Sequence, residues 1–420
     1  MRTPLVVLTL VFASSLSLVA CRDSTVVAPE RRSLAVPPPA KRLLGNPIVG
    51  ITAGANHTCY RRLYGAVFCW GFDADGELGI GPAPATCGTV DVGYPYGPPP
   101  YPCASVPTLI PNFTFYAVSA GNNHTCALRG PDRTAWCWGD NAWFQLGTGD
   151  HMPSTTPRQV AGTLAFSSIS AGFLTSCGTV DGTPPQGTLY CWGHGWSPSE
   201  PSVFLQTPTV ENPPAGDPAN FHLVTVGQET VCAYWFDNAT TRTYCMGNNG
   251  YGEAGVNPTG GFVPLTQVQQ VNPAGAPAVG YWAACVDQAG GGVACWGDNQ
   301  FGELGNAQAG IGSAVPVAVS SPVPLHGVVV NSTYACALDA SGNAWCWGGL
   351  WAFGGTTTMT PTMVGGGHTF IALAAGYKHV CGIGSDQHVW CWGDNNVGQL
   401  GNGQPGANAP ATQPVQASGT

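Results

Sequence analysis

The sequence predicts an all-β, seven-bladed propeller, because one motif occurs seven times, at the spacing of propeller blades, without helical periodicity. The motif ends in a Cys-Trp-Gly triplet that begins at Cys69, Cys137, Cys191, Cys295, Cys346 and Cys391, with Cys245-Met246-Gly247 as a degenerate seventh copy. Successive triplets lie 45 to 68 residues apart, which is the size of one blade. Short apolar runs bounded by Gly, Pro, Asn and Asp indicate strands and turns.

An earlier cysteine precedes each triplet, and this spacing predicts one disulfide in every unit. In the stretch CALDASGNAWC, a hairpin turning about Ser341 places Cys336 opposite Cys346. Cross-strand neighbours lie near the Cα separation that a disulfide needs. The predicted pairs are Cys59 with Cys69, Cys126 with Cys137, Cys177 with Cys191, Cys232 with Cys245, Cys285 with Cys295, Cys336 with Cys346, and Cys381 with Cys391. Buried free thiols and zinc are the alternatives, although no unit has the CxxC spacing of a zinc site.

The N-terminus predicts export and a lipid anchor. Arg2 precedes an apolar stretch too short to span a bilayer, which indicates a signal peptide over 1–20. The stretch ends in LVAC and resembles the bacterial lipobox, which implies diacylglycerol on Cys21; an ordinary signal peptide cut near Ala20 is the alternative. The other sixteen cysteines form an even set, as expected in an oxidising compartment. We expect the protein in the cell envelope, anchored outside the cytoplasmic membrane or at the outer membrane, or otherwise secreted.

Composition divides the rest of the chain into a Pro-rich tether and an acidic body. The anchor and tether span 21–47, and the propeller spans 48–420. The body has seven Lys and Arg against 20 Asp and Glu, a net charge of −13, which disfavours nucleic acid as a partner. A Tyr- and Pro-rich insertion near 82–106 contains Cys87 and Cys103, which we expect to close it as a disulfide. A pre-organised loop that only one unit has is a binding candidate.

Titratable residues recur at equal positions in several units, but these positions do not indicate catalysis. They are His57, His124 and His379, two residues before a cysteine, and Asp140, Asp298 and Asp394, after Trp-Gly. Equal positions in successive blades point to different sectors of a ring, so we expect packing histidines and turn-forming aspartates. No Ser-His-Asp set, phosphate-binding loop or adjacent metal ligands occur in the sequence. We therefore predict no enzyme activity, no cofactor and no metal.

Large aromatic residues in the Gly-rich turns that close the units are binding candidates. They are Trp143, Phe144, Tyr251, Phe301, Trp351 and Phe353. Aromatic side chains exposed on a rigid surface are frequent hot spots of protein or sugar contacts. Packing of these side chains between blades is the alternative.

The unit AGxxHTCAL, followed by WCWGDN and GQLG or GELG, resembles the repeat of the regulator of chromosome condensation family. The resemblance covers nearly all of 48–420 and is weaker in units three, four and six. It implies seven blades of four strands. Each unit also contains a Pro-flanked strand that, in this family, belongs to the next blade. The resemblance therefore implies that 414–417 completes the first blade beside 51–54 and closes the ring.

Three functions follow from these expectations. The first is a monomeric protein-binding scaffold or inhibitor-like module with an unknown protein partner, which export favours. The sequence also resembles propeller-type β-lactamase inhibitor proteins, and this resemblance implies the same kind of function. The nuclear founder of the family is a guanine-nucleotide exchange factor for a small GTPase, which makes an exchange-factor-like regulator the alternative. A carbohydrate-active or carbohydrate-binding propeller is the third.

Overall fold

The computed structural model describes residues 45–88, 100–180, 187–195, 203–212, 220–237, 240–257, 261–310, 312–349, 354, 356–406 and 410–420. These residues form 29 strands in seven antiparallel sheets, and no helix occurs among them. Six sheets have four strands in chain order, and the first has a fifth. The predicted all-β fold of seven four-stranded blades is confirmed. Within the described ranges, no helix has the length and apolarity needed to cross a membrane.

Blade 1 differs from blades 2 and 3 by a fifth strand. Blade 1 contains β1 (Ile48–Ala53), β2 (His57–Arg62), β3 (Val67–Phe72) and β5 (Tyr101–Leu109), with the short β4 (Ala85–Cys87) paired to β5. Blade 2 contains β6 (Phe115–Ala120), β7 (His124–Arg129), β8 (Ala135–Gly139) and β9 (Ser154–Gln159). Blade 3 contains β10 (Phe166–Ala171), β11 (Thr175–Val180), β12 (Thr188–Gly195) and β13 (Val203–Glu211).

The remaining four blades repeat the same order. Blade 4 contains β14 (Phe221–Val226), β15 (Thr230–Asp237), β16 (Thr240–Asn248) and β17 (Phe262–Gln267). Blade 5 contains β18 (Ala278–Val279), β19 (Ala283–Asp287), β20 (Val293–Gly297) and β21 (Ser313–Ala318). Blade 6 contains β22 (Leu325–Val330), β23 (Tyr334–Asp339), β24 (Ala344–Gly348) and β25 (Thr358–Met363). Blade 7 contains β26 (Phe370–Ala375), β27 (His379–Gly384), β28 (Val389–Gly393) and β29 (Ala411–Gln416).

A disulfide joins the second and third strands of every blade. The two cysteines stand directly opposite each other in the strand register, as Cys59 and Cys69 do in blade 1. Their Cα atoms are 4.0 to 4.1 Å apart in all seven pairs. An eighth disulfide, Cys87–Cys103, joins β4 to β5. The structure thus contains every disulfide that the hairpin spacing predicts, and each short loop that a disulfide closes contributes roughly 2–3 kcal/mol of stability in the chain-entropy model.

The Pro-flanked strand of each unit is the fourth strand of its own blade. Its proline lies in a β-bulge next to the third strand: Pro107, Pro157, Pro208, Pro264, Pro316, Pro361 and Pro414. A bulge on an edge strand tolerates proline because the missing N–H leaves no ladder hydrogen bond unmade.

The prediction that the C-terminal strand completes the first blade is wrong. β29 pairs with β28 of blade 7, with Val415 opposite Cys391. The chain returns to the free edge of β28 after a single loop, as it does in the other blades, so the strand pairs within its own blade and not with the adjacent blade 1. No described strand is exchanged between blade 7 and blade 1.

The ring closes instead through side-chain contacts between blades 7 and 1, of the same kind as the contacts that link other blades. The buried Trp70 of blade 1 donates its indole N–H to the backbone oxygen of Gln399 in blade 7, at 2.9 Å. Equivalent bonds of 2.8 to 3.0 Å run from Trp138 to Glu77, Trp192 to Gln145, Trp296 to Glu253, and Trp347 to Glu303. An apolar cluster that includes Ile48, Trp70 and Ile383 fills the same junction. Face-to-face packing and indole hydrogen bonds therefore replace strand exchange.

Candidate binding face

The strand directions bring two sets of loops to one end of the propeller. In each blade, the start of the second strand pairs with the end of the third, as His57 pairs with Gly71. The turn between strands one and two and the loop between strands three and four therefore leave from the same end. We call the residues of these turns and loops the top face, and the residues of the opposite connections the bottom face.

Aromatic side chains cross the centre of the top face. Tyr281 of blade 5 lies with its ring centroid 5.8 Å from that of Phe173 in blade 3 and 5.4 Å from that of Tyr377 in blade 7. Its hydroxyl donates a hydrogen bond of 3.2 Å to Asn122 Oδ1 in blade 2. Burial, and then the neighbouring Tyr377, raise the pKa of the Tyr281 phenol, so the hydroxyl stays protonated. Tyr281 thus connects four blades.

Two further rings extend this group toward the rim. Trp282 lies 5.9 Å from Tyr281 and 6.2 Å from Tyr251 between ring centroids. Tyr251 is 53% exposed. We call Phe173, Tyr251, Tyr281, Trp282 and Tyr377 the central aromatic cluster. Beside it, the inner strands of all seven blades line an axial cavity of about 250 Å³ that also reaches Phe173 and Tyr281.

A second group of rings lies at the junction of blades 2 and 3. Phe204 has its ring centroid 5.7 Å from Trp143, 6.1 Å from Phe144 and 5.9 Å from His194. Trp143 is 39% exposed and Phe204 is 44% exposed. We call these four residues the outer aromatic cluster. Both clusters offer apolar area on one end of a rigid frame, the arrangement of a protein-binding surface.

Carboxylates dominate the charge of the top face. Its described acidic residues are Asp73, Asp75, Glu77, Asp140, Asp150, Glu229, Glu253, Asp298, Glu303 and Asp394. Lys378 is the one lysine or arginine among the described top-face residues, and Arg158, in β9, forms an ion pair with Asp150. Burial raises the pKa of Glu303 to about 7 and the pKa of Glu253 in the same direction. Burial thus disfavours the charged form of these two carboxylates.

The charge of Glu229 acts on titratable groups at both aromatic clusters. Burial lowers the pKa of His194, in the outer cluster, and the Glu229 charge acts in the opposite direction. The Glu229 and Asp298 charges both add to the raised pKa of Glu253, in the loop that carries Tyr251, although burial is the main cause. One carboxylate is therefore within electrostatic reach of both clusters.

The three recurring histidines form hydrogen bonds between blades. His57, His124 and His379 are fully buried, and their Nε2 atoms lie 2.7 to 2.8 Å from the hydroxyls of Thr125, Ser176 and Thr58. Because the Thr125 hydroxyl donates its own proton to Glu77 O, His57 must donate through Nε2–H. Burial lowers the pKa of all three imidazoles to about 3. In the part of the chain that the structure describes, no three His, Cys, Asp or Glu side chains are grouped as a metal site.

The recurring aspartates stabilise the loops between strands three and four. Asp140 Oδ2 accepts from Gln145 Nε2 at 2.8 Å, and Asp394 Oδ2 accepts from Gln399 Nε2 at 3.2 Å. Asp298 Oδ1 accepts the backbone N–H of Asn299 at 2.8 Å. These contacts are the turn chemistry that the sequence indicates.

The insertion of blade 1 also lies on the top face. Tyr101 packs against Phe72 with ring centroids 5.5 Å apart, and both contact Val397 of blade 7. The backbone N–H of Gly403 donates to Ser105 O at 2.9 Å. The base of the insertion therefore belongs to the junction between blades 7 and 1, while 89–99 lie outside the described residues.

The structure brings together some of the predicted aromatic residues and adds others. Trp143 and Phe144 belong to the outer cluster and Tyr251 to the central one, whereas Phe301 is half-buried and in neither. Trp351, Phe353 and Cys21 lie outside the described residues. Six cluster residues were not among the predicted ones: Phe173, Tyr281, Trp282, Tyr377, His194 and Phe204. An available signal was the aromatic residue directly after the inner-strand glycine in AGF, VGYW and AGYK.

Comparison with known proteins supports the repeat assignment. Two family models, both described as Regulator of chromosome condensation (RCC1) repeat, match the chain, one at 64–128 and 134–177 and the other at 115–142 and 370–399. This propeller contains RCC1 repeats. Yeast RCC1 (Prp20), in a crystal structure bound to Kap60, superposes on this RCC1-repeat propeller with a TM-score of 0.68 at 17% identity, over 89% of this chain and 84% of that one.

Curated RCC1-repeat relatives are longer than this propeller. The chain is 28% identical over 153 residues to the mitochondrial RCC1 domain-containing protein RUG3 of Arabidopsis thaliana, which covers 35% of this chain and 31% of RUG3. It is 25% identical over 360 residues to the human E3 ubiquitin-protein ligase HERC2, which covers 81% of this chain and 6% of HERC2. The aligned region is thus less than a third of the length of either relative.

Proposed function

We propose that this RCC1-repeat propeller is an exported, lipid-anchored scaffold that binds a protein partner through its top face. The observation that carries the proposal is the gathering of two partly exposed aromatic clusters on one end of the ring. Tyr and Trp are enriched among hot-spot residues because they bury a large area with few rotatable bonds. Exposed Trp143, Phe204 and Tyr251 supply such area.

The frame beneath the clusters supports binding because it is already rigid. Seven blade disulfides and the buried indole bonds hold the strands from which the top-face loops leave. A surface that is ordered before binding loses little conformational entropy when a partner docks. Yeast RCC1 (Prp20), which shares this fold, forms a complex with Kap60, and this supports a protein-binding role for the present chain.

A photo-crosslinking amino acid tests which face meets the partner. When it replaces Tyr251 on the top face, ultraviolet light applied to intact cells should give a discrete higher-mass adduct, because an exposed hot spot lies in contact with the partner. The matched position is Phe236, which is 37% exposed at the end of β15 on the bottom face. It should give no such adduct.

Adducts from Phe236 alone would place the partner on the bottom face and contradict the proposal. Acceleration of nucleotide release from a GTPase of the same compartment by the purified protein would favour the exchange-factor alternative.

The lipid anchor has a separate test. A Cys21→Ala variant should move from the membrane fraction to the soluble fraction, because the thiol that the lipobox-like LVAC stretch offers to lipid is gone. Ser24→Ala, three residues farther on, leaves that thiol in place and should stay with the membrane. Immunoblots of fractionated cells measure both. Continued membrane association of Cys21→Ala would contradict a lipid anchor.

A further inference from the structure

We infer that the top face recognises a basic segment of its protein partner, and that Trp282, Tyr251 and Glu229 form the site for a lysine or arginine side chain. This inference rests on the proposed function, because it names the chemistry of the partner that the scaffold binds.

The aromatic part of the site consists of two inclined rings. The Trp282 and Tyr251 rings lie 6.2 Å apart between centroids and are inclined by 53°. Tyr251 is exposed, and Trp282 is half-buried. Rings inclined in this way offer parts of their faces to one incoming group. Indole and phenol faces attract cations through the ring quadrupole, and tryptophan is the strongest of the aromatic residues in this respect.

Hydrogen bonds connect two acidic residues to the segments that carry these rings. Asn248 Nδ2 donates to Glu229 Oε2 at 2.7 Å, and Asn248 Oδ1 accepts from the backbone N–H of Gly250, next to Tyr251. This asparagine therefore fixes Glu229 relative to the loop that carries Tyr251. The backbone N–H of Asp298, a buried residue, donates to Trp282 O at 2.8 Å.

Lysine and arginine are scarce on the described top face. Among the described top-face residues, Lys378 is the one lysine or arginine, and its Nζ lies 5.6 Å from the ring centroid of Tyr377. Arg158 is held by Asp150 at 2.6 Å. Glu229 itself is half-buried, and the excess of acidic residues over lysine and arginine on the described top face favours an incoming cation over an anion or a neutral sugar.

Six pairs of this kind, a basic group beside an aromatic ring, occur among the described residues, and two of them illustrate the geometry. The Lys378 ammonium lies beside the Tyr377 ring at the other end of the central cluster, and the Arg242 guanidinium lies 4.7 Å from the Trp235 ring centroid. Arginine suits the Trp282–Tyr251 pair because its planar guanidinium stacks on aromatic faces and binds carboxylate with two parallel hydrogen bonds.

Titration calorimetry with synthetic peptides tests the inference. The probes are end-blocked hexa-arginine, hexa-glutamate and hexa-serine, added to the full chain purified in detergent. Hexa-arginine should bind, hexa-glutamate and hexa-serine should not, and added salt should weaken the complex. Glu229→Gln retains an acceptor for Asn248, and it should weaken hexa-arginine binding by about tenfold because it removes one close charge.

Control variants separate the site from general attraction to an acidic protein. Trp282→Ala should weaken binding as much as Glu229→Gln does, and Trp282→Phe should weaken it less while preserving packing. Asp132→Asn and Phe236→Ala on the bottom face should leave affinity unchanged.

Equal binding of the three peptides, or equal losses from top-face and bottom-face variants, would overturn the inference. If the Tyr251 crosslink still captures the partner in that case, the scaffold function stands; if the crosslink also fails, both fall.

Discussion

Replacing Trp70 by alanine should lower the free energy of unfolding by about 3–5 kcal/mol, the range for deleting a large buried aromatic side chain. The Trp70 side chain is fully buried, and it fills the junction between blades 1 and 7. Its loss also leaves Gln399 O without its indole donor. Urea unfolding with intact disulfides measures the change.

Two companion variants serve as controls for the size and the position of the deleted side chain. Trp70→Phe keeps much of the ring volume and should cost about half as much as Trp70→Ala, since isosteric losses in a core are smaller. Trp143→Ala removes the same side-chain type from the exposed outer cluster and should cost under about 1 kcal/mol. Wild-type stability of Trp70→Ala would mean that other contacts hold the ring closed.

Replacing Gly297 by alanine should destabilise blade 5 by more than about 3 kcal/mol or prevent its folding, because both backbone and space require glycine there. Its φ of +105° is one that L residues rarely adopt, and an added Cβ would meet Trp282 O. The glycines of all seven triplets have φ between +94° and +111°. Expression yield and thermal unfolding of the variant measure the effect.

Gly290 supplies the control in the same blade. A Cβ at Gly290 meets no atom within 4 Å, so Gly290→Ala should change stability by less than about 1 kcal/mol. If both variants melt alike, the triplet glycine is not required by its conformation.

Local features of the fold were predictable because their causes are local. A ten-residue offset such as that between Cys336 and Cys346 sets the hairpin register by itself, and the disulfide follows from the register. The pairing of β29 was not predictable in this way. An edge strand such as ATQPVQ can add to either of two sheet edges, and only the path of the preceding loop selects β28 over the first blade.

The candidate site also combines residues whose position was predictable from local sequence with residues whose position was not. Trp143 and Tyr251 lie in Gly-rich loops, and their exposure follows from that context. Tyr281 follows an inner-strand glycine and looks like a packing residue in the sequence. Its contact with Asn122, 159 residues earlier, exists because the ring brings the turns of blades 2 and 5 to one centre. Contacts across a ring depend on blade number and curvature, which no single repeat contains.

The pairing of β29 within blade 7 has a consequence for how such a protein gains or loses parts. Since no described blade borrows a strand from another, each blade is an uninterrupted stretch of chain from its inner strand to its outer edge. Duplicating one coding segment therefore copies a whole blade with its disulfide, its indole donor and its top-face loops. In a repeat array built from such self-contained segments, a mutation can change the binding loop of one blade without altering the sequence of the neighbouring blades.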